Sequence, residues 1–530
     1  MALAFTRSIC LVGLGGHVVD VEAQSAPGLP AVTLVGLPDA ALREAKERVR
    51  AAISSIRVGW KEMRTTVNLS PAGVPKAGTA FDLALAVAML GSQGLLRAER
   101  ARNVVHLGEL GLDGRLLPVR GILPAVSVAA SHGYRQVMVP AANAQEAQLI
   151  PDVEVVAVEH LADVVTHYGG HPGNRPSRPA AAEGNAGDHR ATGGQAGAQA
   201  SPQGVGGSEP DLSDVVGQAH ARRALEIAAA GGHHLFLLGS PGAGKTMLAE
   251  RLPGIMPPLE RKDALEVTAL HSLAGTLIRP SLMTTPPYQA PHHSATMPAI
   301  LGGGSGMPRP GAASLAHAGV LFLDEAPEFA ARVLDSLRQP MESGQITLHR
   351  SAGTATYPAR FQLVLAANPC PCGNALSETQ TCQCKPMERR RYAARLSGPL
   401  LDRVDMQVVV QPVSATDLRS GAGEPSAQVA ARVSEARRRA AHRWKDHPWR
   451  QNSQIPGSFL RSEAGGLSPI SRRLLRAWME SSGASLRAVD RVLRVAWTAA
   501  DLDGSPSVGE AHLAAAFNMR MGGHDGMVAA

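Results

Sequence analysis

At 530 residues, with 44% hydrophobic and 18% charged positions, the chain is too long for one small module and predicts two or three folded units. Aromatic residues at 3% leave the cores to Ala, Val and Leu, and a net charge of +7 is compatible with a polyanionic partner without establishing one. No stretch approaches the ~20 apolar residues of a membrane span, no trusted cleavage pattern follows the N-terminus, and four of five Cys crowd between 370 and 384, so the expectation is a reducing, cytoplasmic setting.

In chain order, residues 1–167 alternate short β-rich runs (AVTLVGL, TTVNLS, NVVHLGEL, RQVMVPA, VEVVAVE) with helical stretches such as ALREAKERVRAAISSI and FDLALAVAML, which predicts an α/β or α+β domain. Residues 168–210 collapse to Gly, Ala, Pro, Ser, Gln and Asn, with too few branched apolar side chains to offset ordering, and read as a flexible linker. Residues 211–413 open on a capped helix, DLSDVVGQAHARRALEIAAAG, then the strand HLFLLG, a glycine loop and another helix: a nucleotide-binding βα unit. Residues 414–530 are helical throughout and predict a lid. No period of 20 to 50 residues suggests a solenoid.

The strongest motif is GSPGAGKT, comprising Gly239, Ser240, Pro241, Gly242, Ala243, Gly244, Lys245 and Thr246. It matches G-x-x-x-x-G-K-[ST] where a strand gives way to a helix. Glycines let backbone N–H groups curl around phosphate oxygens, and the helix N-terminus adds partial positive charge. Lys245 is placed to reach the β and γ phosphates and Thr246 to ligate Mg²⁺; the alternative is a chance glycine turn. A second apolar strand, Val320 to Leu323, ends in Asp324 and Glu325. Beside a phosphate loop, Asp324 would hold the Mg²⁺ shell and Glu325 would polarise the attacking water; alone, the pair would read as a solvated cap. A third strand, FQLVLAANP, ends in Asn368, which either orients water and γ-phosphate or makes a turn before Pro369.

Cys370, Cys372, Cys382 and Cys384 form two C-x-C pairs across a polar loop. Four soft ligands could close a structural Zn²⁺ site, although the usual C-x₂-C spacing is absent and reduced thiols or a redox pair remain open. A catalytic zinc is disfavoured because four Cys leave no open position. For His292 and His293 in APHHSA a zinc role is also disfavoured, since neighbours on an extended chain point to opposite faces.

The segments VVGQAHARRALEIAAAGGHHLFLLGSPGAGKTMLAERLPGIMPPL, APHHSA, SLAHAGVLFLDEAPEF, LRQPMESGQITLHR, ANPCPCG and LSGPLLDRVD together resemble the ComM/YifB family of magnesium-chelatase-like AAA+ ATPases. The resemblance implies an α/β P-loop AAA+ core with a helical C-terminal lid. It places Val216 and Gly217 near the adenine, makes Asn368 sensor 1, and presents Arg403 to a neighbouring subunit's γ-phosphate, with a salt bridge to Asp402 or Asp405 as the alternative for Arg403. Arg487 resembles the lid's sensor 2 arginine, and Arg491, one turn on, competes with it. An arginine acting in trans implies homo-oligomerisation, by resemblance a hexameric ring. The hairpin beginning at ESGQITLHR resembles a DNA-gripping pre-sensor hairpin, with His349 and Arg350 as candidate phosphate contacts. The basic runs Arg389–Arg391 and Arg437–Arg439 suit a polyanion, although the second lies beside Glu435 on a helical stretch and also reads as a solvated face.

The N-terminal segments GLPDAALREAKERVRAAI, TTVNLSPAGVPKAGTAFDLALAVAML and LGELGLDGRLLPVRGILPAVSVAA resemble a Lon-protease-like (ribosomal S5-like) α+β domain. Ala80 falls at the nucleophile position and Leu123 and Ala125 where the lysine should be, so the Ser-Lys dyad is missing; Ser70 and Lys76 stand at the wrong motif positions. The implied function is an ATP- and Mg²⁺-dependent motor on single-stranded and branched DNA. Within the family this means branch migration in homologous recombination during natural transformation. A chelatase-type motor that remodels a partner, and an ATP-dependent protease or chaperone, are the alternatives.

Overall fold

The computed structural model describes residues 3–36, 40–74, 76, 78–173, 210–304, 307–350, 353–376, 381–414, 417, 419 and 423–521. Nearly all of the expected linker thus lies outside the described residues.

The N-terminal domain is built on strands β1 (Leu3–Val12), β2 (Gly15–Ala26), β3 (Ala31–Val35), β4 (Arg64–Ser70), β5 (Val104–His106), the small pair β6 (Glu109–Leu110) and β7 (Leu116–Leu117), β8 (Gln136–Pro140) and β9 (Glu154–Val158). Seven of these form one mixed sheet in the order β3-β4-β2-β1-β5-β8-β9, antiparallel across β1–β2 and β2–β4 and parallel elsewhere. Helix Asp82–Ser92 is buried at every position. A helix apolar on all sides belongs inside a core, and this one packs on β1 and β2.

The second domain contains β10 (Leu235–Leu238), β11 (Tyr288–Gln289), the pair β12 (Gly302–Gly303) and β13 (Arg309–Pro310), β14 (Val320–Leu323), the hairpin β15 (Gln345–Arg350) and β16 (Gly353–Pro358), β17 (Gln362–Ala367) and β18 (Met406–Val409). A five-stranded parallel sheet runs β11-β14-β17-β10-β18. All residues of β10, β14 and β17 are buried, the unbroken apolar pattern of parallel strands covered on both faces. Because β10 is first in the chain yet central in the sheet, its carboxyl end opens a crevice between diverging connections, where ligands bind in such sheets. The C-terminal region is helical, with Ser426–Arg443, Pro469–Ser482, Leu486–Leu502 and Glu510–Met521 as its main elements. Ser468 and Ser485 cap two of these helices. Val489, Val492, Leu493 and Ala496 join the apolar cluster that also contains Leu235 and Leu237, so this region closes one face of the parallel sheet.

The N-terminal domain contacts this core directly. Gly121 N–H donates to the Ser272 carbonyl at 3.2 Å, and Leu14 packs with Leu270, Leu273, Leu348 and Tyr357. At Gly13, in the β1–β2 turn, a Cβ would come within 2.8 Å of the Thr356 carbonyl oxygen, so only glycine lets this turn rest on the β15–β16 hairpin.

Candidate active site

Leu238 of β10 pairs with Ala367 of β17, and Leu365 of β17 pairs with Leu323 of β14, so three strands deliver their next residues to one sheet edge. From β10 the chain enters the 239–246 loop. Gly242 (φ 77°) and Gly244 (φ 89°) are left-handed there, a conformation L side chains resist. At Gly239 a Cβ would meet the Val410 carbonyl oxygen at 2.5 Å. The loop runs into helix Lys245–Ile255. Buried Lys245 donates Nζ to the carbonyls of Gly239 (2.7 Å) and Ser240 (3.0 Å) and to Asn368 Oδ1 (3.0 Å). Desolvation pushes its pKa down, against the upward pull of Asp324 and Glu325.

Thr246 Oγ1 donates to Asp324 Oδ2 at 2.7 Å, and the other Asp324 oxygen accepts the Glu325 N–H at 2.9 Å. Glu325 itself is left-handed (φ 49°), costly for a residue with a Cβ and recurrent at reactive positions. Its carboxylate stands 3.3 Å from His293 Nδ1. Gln218, adjacent to Val216 and Gly217, donates Nε2 to the carbonyl of Ala243 at 2.5 Å, tying that segment to the loop. Sequence reasoning missed both Gln218 and His293. The glutamine had no motif to mark it. The histidine was set aside because neighbours on an extended chain diverge, whereas the chain turns at residues 293–294 and brings the His292 and His293 rings to 4.0 Å. That reason is corrected, although neither histidine joins a metal-capable group among the described residues.

Arg403 lies elsewhere. It precedes β18, whose first residue, Met406, pairs with Leu235 at the start of β10, so Arg403 sits at the sheet edge opposite the glycine loop. A four-residue strand spans about 13 Å. Glu342, Asp402, Arg403, Arg487, Asp490, Arg491 and Arg494 line one pocket at that edge. Arg403 donates to the Pro399 carbonyl at 2.7 Å and pairs with Glu342, not with Asp402 or Asp405 as the alternative reading had it. Arg491 pairs with Asp405 and donates to the Asp402 carbonyl, whereas Arg487 is exposed. Buried Asp405 is held well below the usual carboxylate range, its desolvation outweighed by Arg491 and the neighbouring histidines.

His349 and Arg350 are exposed at the end of β15, with His349 Nδ1 3.0 Å from Thr354 Oγ1. The run Arg437–Arg439 divides: Arg437 donates twice to the Ala229 carbonyl, at 3.0 and 2.6 Å, Arg439 donates to the Asp501 carbonyl at 2.6 Å, and exposed Arg438 pairs with Glu435 on the surface. Burial lowers the Arg437 pKa to about 10. Arg437 is therefore no part of a polyanion patch, whereas exposed Arg438 with Glu435 is the solvated face that the spacing also suggested. The Cys370, Cys372, Cys382 and Cys384 sulfurs all lie within 4.8 Å of one another. In the N-terminal domain, Leu123 and Ala125 are buried in helix Ile122–Ser131, and Lys76 Nζ is occupied by the carbonyls of Val74 (3.0 Å) and Pro71.

A model described as magnesium chelatase, subunit ChlI, matches residues 211–418. Models of subunit ChlI of Mg-chelatase and of the ChlI C-terminal region match residues 21–143 and 423–520. The competence protein ComM of Haemophilus influenzae is 38% identical over 523 residues, covering 98% of both chains. The chain belongs to the magnesium-chelatase-like ComM/YifB family. YifB of Escherichia coli is 38% identical over 98% of this chain and 97% of its own, and an uncharacterized protein of Mycobacterium tuberculosis is 47% identical over 99% of both. Lon protease of Roseiflexus castenholzii is 31% identical over 166 residues, covering 28% of this chain and 20% of its own. As a member of the ComM/YifB family the chain is an AAA+ ATPase, with ATP hydrolysis as the implied activity.

Proposed function

We propose that the protein is an ATP-driven DNA motor of the ComM type that works as a homo-oligomeric, hexameric ring. The observation behind this reading is the separation of two half-sites in one chain. The glycine loop, Lys245, Thr246, Asp324, Glu325 and Asn368 meet at one sheet edge, while Arg403 and Arg487 share a pocket at the other. A guanidinium at the far end of strands about 13 Å long cannot touch the same chain's phosphates, but it can reach those of a neighbour.

In this reading residues 239–246 cradle the triphosphate, Val216 and Gly217 flank the base, and Asn368 orients the γ-phosphate. Glu325 polarises the attacking water, and Arg403 and Arg487 of the adjacent protomer stabilise the developing charge. Thr246 Oγ1 and Asp324 Oδ2, 2.7 Å apart, fit the hard-oxygen preference of Mg²⁺ and would hold it. The ion would neutralise phosphate charge during transfer. Helix Arg338–Ser343 ends beside β15, and its Glu342 binds Arg403, so the finger and the hairpin with His349 and Arg350 are linked through this short helix. Release of Glu342 when Arg403 engages a neighbour's phosphate would move the hairpin against DNA. The domain limits of 167, 210 and 413 belong to the same reading, as does an N-terminal domain that is an inactive Lon-like scaffold. No helix among the described residues is long and apolar enough to cross a membrane.

Mixing two inactive variants provides the test. Lys245→Ala and Arg403→Ala should each abolish turnover alone, yet recover part of it when combined, because a mixed ring contains interfaces with an intact loop facing an intact finger. ATPase stimulation by forked or single-stranded DNA, falling steeply with salt, should accompany it. No recovery on mixing overturns action in trans, and turnover indifferent to every oligonucleotide shifts the reading to a chelatase-type motor that remodels a partner.

A further inference from the structure

The four cysteines stand against the nucleotide loop. Cys370–Cys372, Cys372–Cys382 and Cys370–Cys382 sulfur separations are 3.3, 3.6 and 3.7 Å, and Cys384 completes a set within 4.8 Å. In a tetrahedral site with metal–sulfur bonds of about 2.3 Å, neighbouring sulfurs lie about 3.8 Å apart, so this is the spacing of four thiolates around one Zn²⁺. A disulfide would bring one pair to about 2.05 Å, and all four cysteines are free.

Two contacts join the cluster to the phosphate site. Asn368, bound to Lys245, lies two residues before Cys370. Gly373, inside the cysteine loop, lies so close to Pro241 that a Cβ there would come within 2.4 Å of the proline Cδ, and its φ of 82° is left-handed. The cysteine loop is thus the wall against which the glycine loop rests. Among the described residues of this loop Cys370 and Gly373 are buried and Leu376 packs on the core, and four metal bonds would fix the two C-x-C arms to one another.

We propose that Cys370, Cys372, Cys382 and Cys384 bind one structural Zn²⁺, and that the metal sets nucleotide affinity by holding Gly373 against Pro241 and Asn368 against Lys245. The second half rests on the nucleotide reading above; the first does not. The full chain, purified without a metal-chelating tag, should contain one zinc per chain by elemental mass spectrometry. A chain without zinc overturns the site. Cys382→Ser/Cys384→Ser should lose the metal and bind a fluorescent ATP analogue about tenfold more weakly or worse, as small misplacements in phosphate sites do. Gly373→Ala should keep its zinc and still bind the analogue more weakly, which separates the contact from folding should the double variant not fold. Zinc-free protein with unchanged circular dichroism and undiminished analogue affinity overturns the coupling. Zinc-loaded protein that binds no analogue defeats the nucleotide reading and the coupling with it, but leaves the metal site standing.

Discussion

Lys76 and Lys245 are both buried amines, 1% and 8% exposed, and desolvation pushes the pKa of each below the usual lysine range. Each satisfies itself on two backbone carbonyls, those of Pro71 and Val74 for the first and of Gly239 and Ser240 for the second. What differs is the remaining company. Lys245 also binds Asn368 from a strand 123 residues away, and two carboxylates, Asp324 and Glu325, act on it. Among the described residues, the hydrogen-bond partners of Lys76 are carbonyls of its own turn. Burial of an amine is thus no sign of catalysis. The proposed site lies where distant strands bring complementary groups to the same amine, at a loop whose carbonyls would give way to phosphate oxygens.

The largest effect should separate the two lysines. Lys245→Ala should lose ATP-analogue binding in an equilibrium titration. Lys76→Met should leave that binding unchanged and lower the free energy of unfolding by about 1–3 kcal/mol, the cost of leaving buried acceptors unpaired. A Lys76 variant that fails to bind nucleotide while remaining folded would erase the contrast. Next in size, Glu325→Gln should bind ATP with little change and lower the turnover rate by roughly 10²–10⁴, since it keeps the shape of the side chain and removes only the base. Full turnover in that variant would move the base elsewhere, with His293, 3.3 Å away, as the first place to look.

The nucleotide half of the molecule was readable because its chemistry is local in sequence. A glycine loop, a strand ending in two acids and a strand ending in Asn each announce themselves, and the parallel register then aligns their ends. The arginine edge was only half readable. LLDRVD marked Arg403, but its partner Glu342 lies 61 residues earlier on a short helix, and nothing in composition or spacing tells Glu342 from other surface acids. The run Arg437–Arg439 was half readable as well. A string of like charges looks like a surface, and Arg438 beside Glu435 is one, yet the 3.6-residue turn sends Arg437 inward to the Ala229 carbonyl and Arg439 to that of Asp501. Gln218 and His293 act through tertiary contacts with segments far along the chain, which no single stretch of sequence records.

The smallest expected effect is none at all, and it bears most directly on the N-terminal lysine. Ala80→Ser restores a hydroxyl where a Lon-like nucleophile would stand, but a hydroxyl attacks a peptide only when a neighbouring base takes its proton. Leu123 and Ala125 offer no base, and they are buried in a helix whose face packs into the core. Lys76 directs its ammonium protons at two carbonyls of its own turn and has no free lone pair to offer. Casein or a fluorogenic peptide should therefore survive incubation with the natural chain and with Ala80→Ser, with and without ATP, at the level of the buffer blank. ATP-dependent cleavage by the serine variant would mean that the Lys76 turn opens during the cycle. The two lysines would then differ in timing rather than in kind.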